Sequence, residues 1–145
     1  MRLYSGTTTT LAEDSAHNRI AGKLRDAFFQ ELRYEPSPSE VSSWRNSLRA
    51  LSQAFQLGSL NDHGVLIEYQ LPQTSKRLDC IVTGRDLDRR DQAVIVELKQ
   101  WERCLEAFGD KVVSFMGGGD RQVLHPSVQV RQYETLSARL PQRLL

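Results

Sequence analysis

The chain of 145 residues contains 39% hydrophobic and 26% charged residues, as expected for one globular domain with its own hydrophobic core. Its formal net charge is only +1, so overall charge does not indicate a polyanion-binding protein, and nucleic-acid binding would depend on a local basic patch. No hydrophobic run approaches the roughly 18 residues that a membrane span needs, and the N-terminus lacks a charged-then-hydrophobic leader. These features favour a cytoplasmic protein without a membrane partner.

Two amphipathic helices are predicted before any strand. In the first, at 16–32, hydrophobic residues recur at helical spacing. The second follows Ser37-Pro38-Ser39-Glu40, a sequence that fits a capping box with proline in the first turn, and its hydrophobic stripe ends before Gly58. A capping role therefore already accounts for a glutamate at position 40.

Three strands are predicted next, at 65–71, 77–84 and 92–99, and the short loops between them predict an antiparallel meander. Helical spacing over 101–108 then predicts one or two helical turns. A hairpin is predicted from 112–116 and 122–124 around Gly117-Gly118-Gly119-Asp120, and Pro126 opens a last helix that reaches 140. The whole chain, 1–145, is thus predicted to be a single α/β domain with a central mixed sheet flanked by helices.

Acidic and basic side chains meet on the second and third predicted strands. Alternation puts Glu97 and Lys99 on one face, and Asp79 stands among hydrophobic residues of the preceding strand. Two carboxylates bind a hard cation such as Mg²⁺, and an ammonium can orient water and stabilise negative charge. The pattern indicates metal-assisted phosphodiester hydrolysis. The structural alternatives are an ion pair between Asp79 and Arg77 and a solvated Lys99.

This Asp…Glu-x-Lys pattern resembles the signature of the PD-(D/E)XK nuclease superfamily. Gln129-Val130-Arg131-Gln132-Tyr133 resembles the Gln-x-x-x-Tyr motif of its RecB-like branch, and Gln129 and Tyr133 lie one helical turn apart. The blocks around Glu68-Tyr69-Gln70-Leu71-Pro72, Lys76-Arg77-Leu78-Asp79 and His125-Pro126 resemble the N-terminal nuclease-like region of bacterial nuclease-helicase fusion proteins. No phosphate-binding loop of a helicase is present in this sequence.

The resemblance implies a restriction-endonuclease-like fold and a Mg²⁺-dependent or Mn²⁺-dependent nuclease acting on DNA, in phage defence or DNA processing. It implies that Asp79, Glu97 and the backbone carbonyl of Leu98 hold the metal and that Lys99 positions the attacking water. Gln129 and Tyr133 would support the substrate and the site. A fused or associated helicase is one implied partner, as in the nuclease-helicase fusion proteins. A homodimer is the other, since the family core has a further strand after the Gln-x-x-x-Tyr helix. That strand would be missing, supplied by a partner or replaced by the hairpin at 111–124.

A third acid is expected beside the metal, and two candidates are open. If the turn of the first hairpin is centred between residues 73 and 74, Glu68 lies opposite Asp79 on the same face. The alternative is a cross-strand ion pair of Glu68 with Lys76 or Arg77. The second candidate is Glu40, because this superfamily commonly draws an acid from the helix before the sheet.

Other residues have plainer interpretations. Both Cys80 and Cys104 are expected to be reduced, packed thiols, and His125 is expected to cap the last helix. Basic residues near the expected site would contact DNA or be merely solvated. They are Lys76, Arg77, Arg85, Arg89, Arg90, Lys99, Arg103 and Arg121. The competing functional hypothesis is a catalytically silent nucleic-acid-binding or regulatory module of a helicase-associated system.

Overall fold

The protein was analysed as a computed structural model, which describes residues 1–71, 74–101 and 103–137. The chain forms two compact units, Met1–Leu98 and Lys99–Leu145. The centre of the first predicted turn and the end of the last predicted helix lie outside the described residues. Among the described residues, no helix is both long and hydrophobic enough to cross a membrane.

The first unit combines three helices with one antiparallel sheet of strand order β1-β2-β3-β4. The predicted meander is confirmed, because β2 pairs antiparallel with β3, and β3 with β4. Its elements are β1 (Tyr4–Thr7), α1 (Thr8–Ala16), α2 (Ile20–Leu32), α3 (Pro38–Leu57), β2 (Gly64–Gln70), β3 (Arg77–Arg85) and β4 (Asp91–Val96).

Two elements near the N-terminus were not predicted. Strand β1 has only four residues, and its extended conformation is stabilised by antiparallel pairing with β2. Helix α1 is rich in threonine and has no long hydrophobic stripe, but Thr7 and Thr10 close a capping box at its start. The helix predicted from residue 16 therefore begins only at Ile20.

The core of the first unit lies between the helices and one face of the sheet. Leu24 and Phe28 of α2 and Leu48 of α3 are almost fully buried. Cys80 of β3 is completely buried in the same cluster, and burial raises the pKa of its thiol to about 12. It is a packed, reduced cysteine, as predicted.

The second unit contains a three-stranded antiparallel sheet of order β5-β6-β7 and one described helix. The predicted hairpin is confirmed, and Gly117 and Gly118 supply its positive φ angles of 60° and 86°. Its elements are β5 (Cys104–Glu106), β6 (Lys111–Met116), β7 (Gly119–Leu124) and α4 (Pro126–Ser137).

The prediction of helical turns at 101–108 was wrong. Cys104 and Leu105 pair with Ser114 and Val113 of β6, and this cross-strand pairing overrides the helical spacing. Cys104 lies in this short strand and is exposed, so the expectation that it is packed was also wrong.

Helices and strands occur together, as the α/β prediction required, but the expected mixed sheet is not observed in the described parts of the chain. Both sheets are antiparallel. The connections between consecutive strands within β2–β4 and β5–β7 are short, and a short connection can join only antiparallel neighbours.

Candidate functional site

Strand register brings two acidic residues of the first unit together. Strands β2 and β3 pair Ile67 with Cys80 and Tyr69 with Leu78, so Glu68 lies opposite Asp79, as predicted. Cys80 also pairs with Val96, the last residue of β4, and Glu97 follows next in the chain.

The backbone of Glu68 is irregular. Its φ angle is 52°, in the left-handed region that non-glycine residues rarely adopt within a strand. The pairing of β2 with β3 is regular on both sides of Glu68 but is interrupted at Glu68 itself. Such a conformation costs about 1 to 3 kcal/mol and is often found at functional sites. The irregularity breaks the alternation of side chains and allows Glu68 to reach helix α3.

The carboxylate of Glu68 contacts two other side chains. Its Oε1 accepts a hydrogen bond of 2.9 Å from the indole nitrogen of Trp44, and its Oε2 lies 3.4 Å from Nη1 of Arg77. Only 12% of the side chain is exposed. Burial raises the pKa of Glu68, and the contacts with Trp44 and Arg77 only partly oppose this effect. The negative charges of Asp79 and Glu40 raise it further.

Arg77 connects Glu68 to the start of helix α3. Its Nη2 donates a hydrogen bond of 3.0 Å to Oε1 of Glu40, so one guanidinium contacts two carboxylates. The backbone N–H of Glu40 donates to the hydroxyl of Ser37, which caps the helix, but the Glu40 side chain turns to Arg77 instead of completing the predicted capping box. Glu68 thus forms the ion pair with Arg77 that was the alternative interpretation, and it also lies opposite Asp79.

Asp79 is fixed by the chain segment that follows β4. Its Oδ2 accepts a hydrogen bond of 2.7 Å from the backbone N–H of Leu98. This bond takes the place of the next backbone hydrogen bond between β3 and β4, so β4 ends at Val96 and not at the predicted residue 99. Glu97 and Leu98 therefore lie just beyond the strand. Oε2 of Glu97 is buried, whereas Lys99 is exposed.

A small cavity of about 50 Å³ adjoins Glu68 and Asp79. This volume accommodates a few water molecules or an ion with part of its hydration shell. The lining combines two carboxylates with two hydroxyls of α3 and with hydrophobic side chains. The lining residues are Ser43, Trp44, Ser47, Leu48, Ile67, Glu68, Asp79 and Leu98.

Sequence reasoning did not assign Trp44, Ser43 and Ser47 to this site. Trp44 was interpreted as a core residue, and it is 5% exposed, but a buried indole N–H requires an acceptor. Ser43 and Ser47 are four residues apart, which places them on one face of α3. That spacing was the available signal for a polar patch beside the hydrophobic stripe of this helix.

The second unit holds the other predicted site residues. On α4 the side-chain amide of Gln129 donates a hydrogen bond of 2.6 Å to the hydroxyl of Tyr133, which is buried. Nδ1 of His125 accepts a hydrogen bond from the N–H of Ser127, the capping role that was predicted. Some predicted DNA-contacting cations have acidic partners, such as Arg103, which pairs with Asp120.

Within 1–71, 74–101 and 103–137, no group of three or more His, Cys, Asp or Glu side chains is arranged to hold a metal ion. The contacts of Glu40 and Glu68 with Arg77, and of Asp79 with Leu98, account for the present orientation of these acids. No family model, curated protein or solved structure matches the chain.

Proposed function

We propose that the protein is a metal-dependent nuclease that hydrolyses phosphodiester bonds of DNA, with a restriction-endonuclease-like fold and a cytoplasmic role in phage defence or DNA processing. The observation that carries this proposal is that Glu68 and Asp79, on the neighbouring strands β2 and β3, line one polar cavity, with Glu97 just beyond the end of β4. Two carboxylates that line one cavity offer oxygen ligands of the kind that a hard divalent cation prefers.

The donor set fits Mg²⁺ or Mn²⁺. Mg²⁺ typically binds one or two carboxylates and keeps several waters, and Glu68 and Asp79 line one cavity large enough for water. Asp79, Glu97 and the carbonyl of Leu98 would hold the ion, with Glu68 as the third acid. When bound, the ion would neutralise negative charge on the attacked phosphate and activate a water molecule.

The remaining residues would orient the reactants. The N–H of Leu98 fixes one oxygen of Asp79, which leaves the rotation of that carboxylate restricted before any ligand arrives. The ammonium of Lys99 would hold the attacking water and stabilise the developing negative charge. Gln129 and Tyr133, already joined by a hydrogen bond, would support the DNA substrate.

The test is cleavage of single-stranded DNA, linear duplex DNA and supercoiled plasmid in the presence of Mg²⁺, Mn²⁺ or EDTA. Asp79→Asn and Lys99→Met should each reduce metal-dependent cleavage by about 100-fold or more. Asp91→Asn and Lys111→Met are the matched controls, because both side chains are exposed and neither is assigned to the site. Cleavage that persists in EDTA, or in Asp79→Asn, would contradict the proposal.

A catalytically silent nucleic-acid-binding or regulatory module of a helicase-associated system is the second candidate. One observation favours it: Glu40 and Glu68 contact Arg77, and Asp79 contacts the Leu98 N–H, so these acids have structural partners within the protein. This candidate requires DNA binding without divalent ions that survives Asp79→Asn. Electrophoretic mobility shifts in EDTA, run on the same variants, distinguish the two functions.

A further inference from the structure

Arg77 occupies an unusual position among the acids of the candidate site. Its guanidinium lies between two carboxylates, one from the first turn of α3 and one from the irregular position of β2. Glu40 and Glu68 are 25% and 12% exposed, so both are largely shielded from water, which strengthens their interaction with a cation. The positive charge of Arg77 thus fills a place that could otherwise attract a metal ion.

A divalent cation between Glu40 and Glu68 would lie close to the guanidinium of Arg77. The two positive charges repel each other, and this repulsion is stronger where the groups are shielded from water.

We propose that Arg77 restricts the site to a single divalent cation by occupying the position between Glu40 and Glu68 that a second cation would take. This inference rests on the proposed function and deepens it. Nucleases can operate with two metal ions about 4 Å apart, and Arg77 assigns this protein to the one-metal class. Glu40 then acts as a partner of Arg77 and not as a metal ligand.

The experiment is calorimetric titration of the whole chain with Mn²⁺ in a phosphate-free buffer. The wild-type protein should bind one Mn²⁺ per chain, and Asp79→Asn should abolish this binding. Arg77→Gln should raise the number of bound Mn²⁺ ions to two per chain. Arg77→Lys, which retains the positive charge, should bind one Mn²⁺ per chain, as the wild type does. Arg85→Gln is the matched control, because Arg85 lies on the same strand but pairs with Asp91 at the exposed surface.

Two further variants tie the second ion to the position of Arg77. The double variant Arg77→Gln/Glu40→Gln should return to one Mn²⁺ per chain. Glu40→Gln alone should retain one Mn²⁺ with an affinity within about threefold of wild type, since its carboxylate is only a neighbour of the ion. Loss of Mn²⁺ binding in Glu40→Gln would overturn the inference by making Glu40 a ligand.

The outcomes separate this inference from the proposed function. One Mn²⁺ in both the wild type and a folded Arg77→Gln protein overturns the role of Arg77 and leaves the nuclease proposal standing. No Mn²⁺ in the wild type overturns both. If circular dichroism shows that Arg77→Gln is unfolded, the titration of the wild type remains a test. Binding of two Mn²⁺ per wild-type chain would exclude a one-metal site.

Discussion

Two regions of the first unit each bury a carboxylate, and their environments differ. The side chain of Asp14 is 5% exposed and accepts hydrogen bonds from Tyr4, Arg19 and Lys23. The side chain of Glu68 is 12% exposed. Burial opposes ionisation at Asp14, but its three donors prevail and lower its pKa below the ordinary value. At Glu68 burial prevails and the pKa is raised.

The difference separates a structural acid from a candidate functional one. Asp14 of α1 accepts from three donors, which come from β1, the α1–α2 junction and α2, so it joins three segments. Glu68 has fewer donors, has two neighbouring acids and sits on a strained backbone. Burial alone therefore does not mark a candidate site, whereas burial together with few donors and a strained backbone does.

The largest effect on stability is expected at Asp14. Asp14→Asn removes the negative charge that pairs with both Arg19 and Lys23. It should lower the free energy of unfolding by about 2 to 3 kcal/mol. Urea denaturation of the two proteins at pH 7 measures this difference. Asp26→Asn is the control, because its ion pair with Arg25 is exposed and should contribute less than about 1 kcal/mol.

The contribution of Asp14 should depend on pH. Because its folded-state pKa is lowered, the stabilisation is complete above the unfolded-state value of 3.8 and is lost as pH falls through the lower folded-state pKa. The wild type and Asp14→Asn should therefore differ most near neutral pH and converge below pH 3.8. Urea titrations from pH 7 downwards test this, and a constant difference would show that Asp14 is not the titrating group.

A smaller, site-specific effect is expected at Trp44. Trp44→Phe keeps most of the ring but removes the N–H that orients Glu68, so it should weaken Mn²⁺ binding by about 10-fold. Tyr4→Phe is the matched control: it removes the hydroxyl that donates to Asp14 and should leave Mn²⁺ affinity unchanged. Equal losses in both variants would mean that Mn²⁺ binding reports only on general stability.

The smallest effect on stability is expected at Glu68 itself. Glu68→Gln retains an acceptor for Trp44 and removes a poorly compensated buried charge, so it should change the free energy of unfolding by less than about 1 kcal/mol. The same variant should lose Mn²⁺ affinity. A destabilisation as large as that of Asp14→Asn would remove the distinction between the two acids.

Part of this site could be predicted from the sequence. Alternating hydrophobicity and short loops gave β2, β3 and β4 within one to three residues, and counting from the turn gave the opposition of Glu68 and Asp79. Boundaries that depend on tertiary contacts were missed. The end of β4 depends on a bond between Leu98 and Asp79, which no local pattern encodes.

The remaining features depend on three-dimensional packing. A positive φ at a glutamate has no sequence signal comparable to that of glycine, so the irregularity at Glu68 could not be predicted. An ion pair of Glu68 with Arg77 was among the alternatives predicted from the sequence, but the second contact of Arg77, with Glu40, depends on the tertiary packing of α3. Strand β5 resembled a helical turn because three residues are too few to show alternation.

The hydrogen bond from the Leu98 N–H to Asp79 gives the protein an internal spectroscopic probe. A short bond of 2.7 Å to a carboxylate should move this amide proton to unusually low field in a nitrogen–proton correlation spectrum. A cation that draws electron density from the carboxylate should weaken the bond and shift the peak back. One backbone resonance would thus report occupancy of the site in the resting protein, without DNA and without turnover.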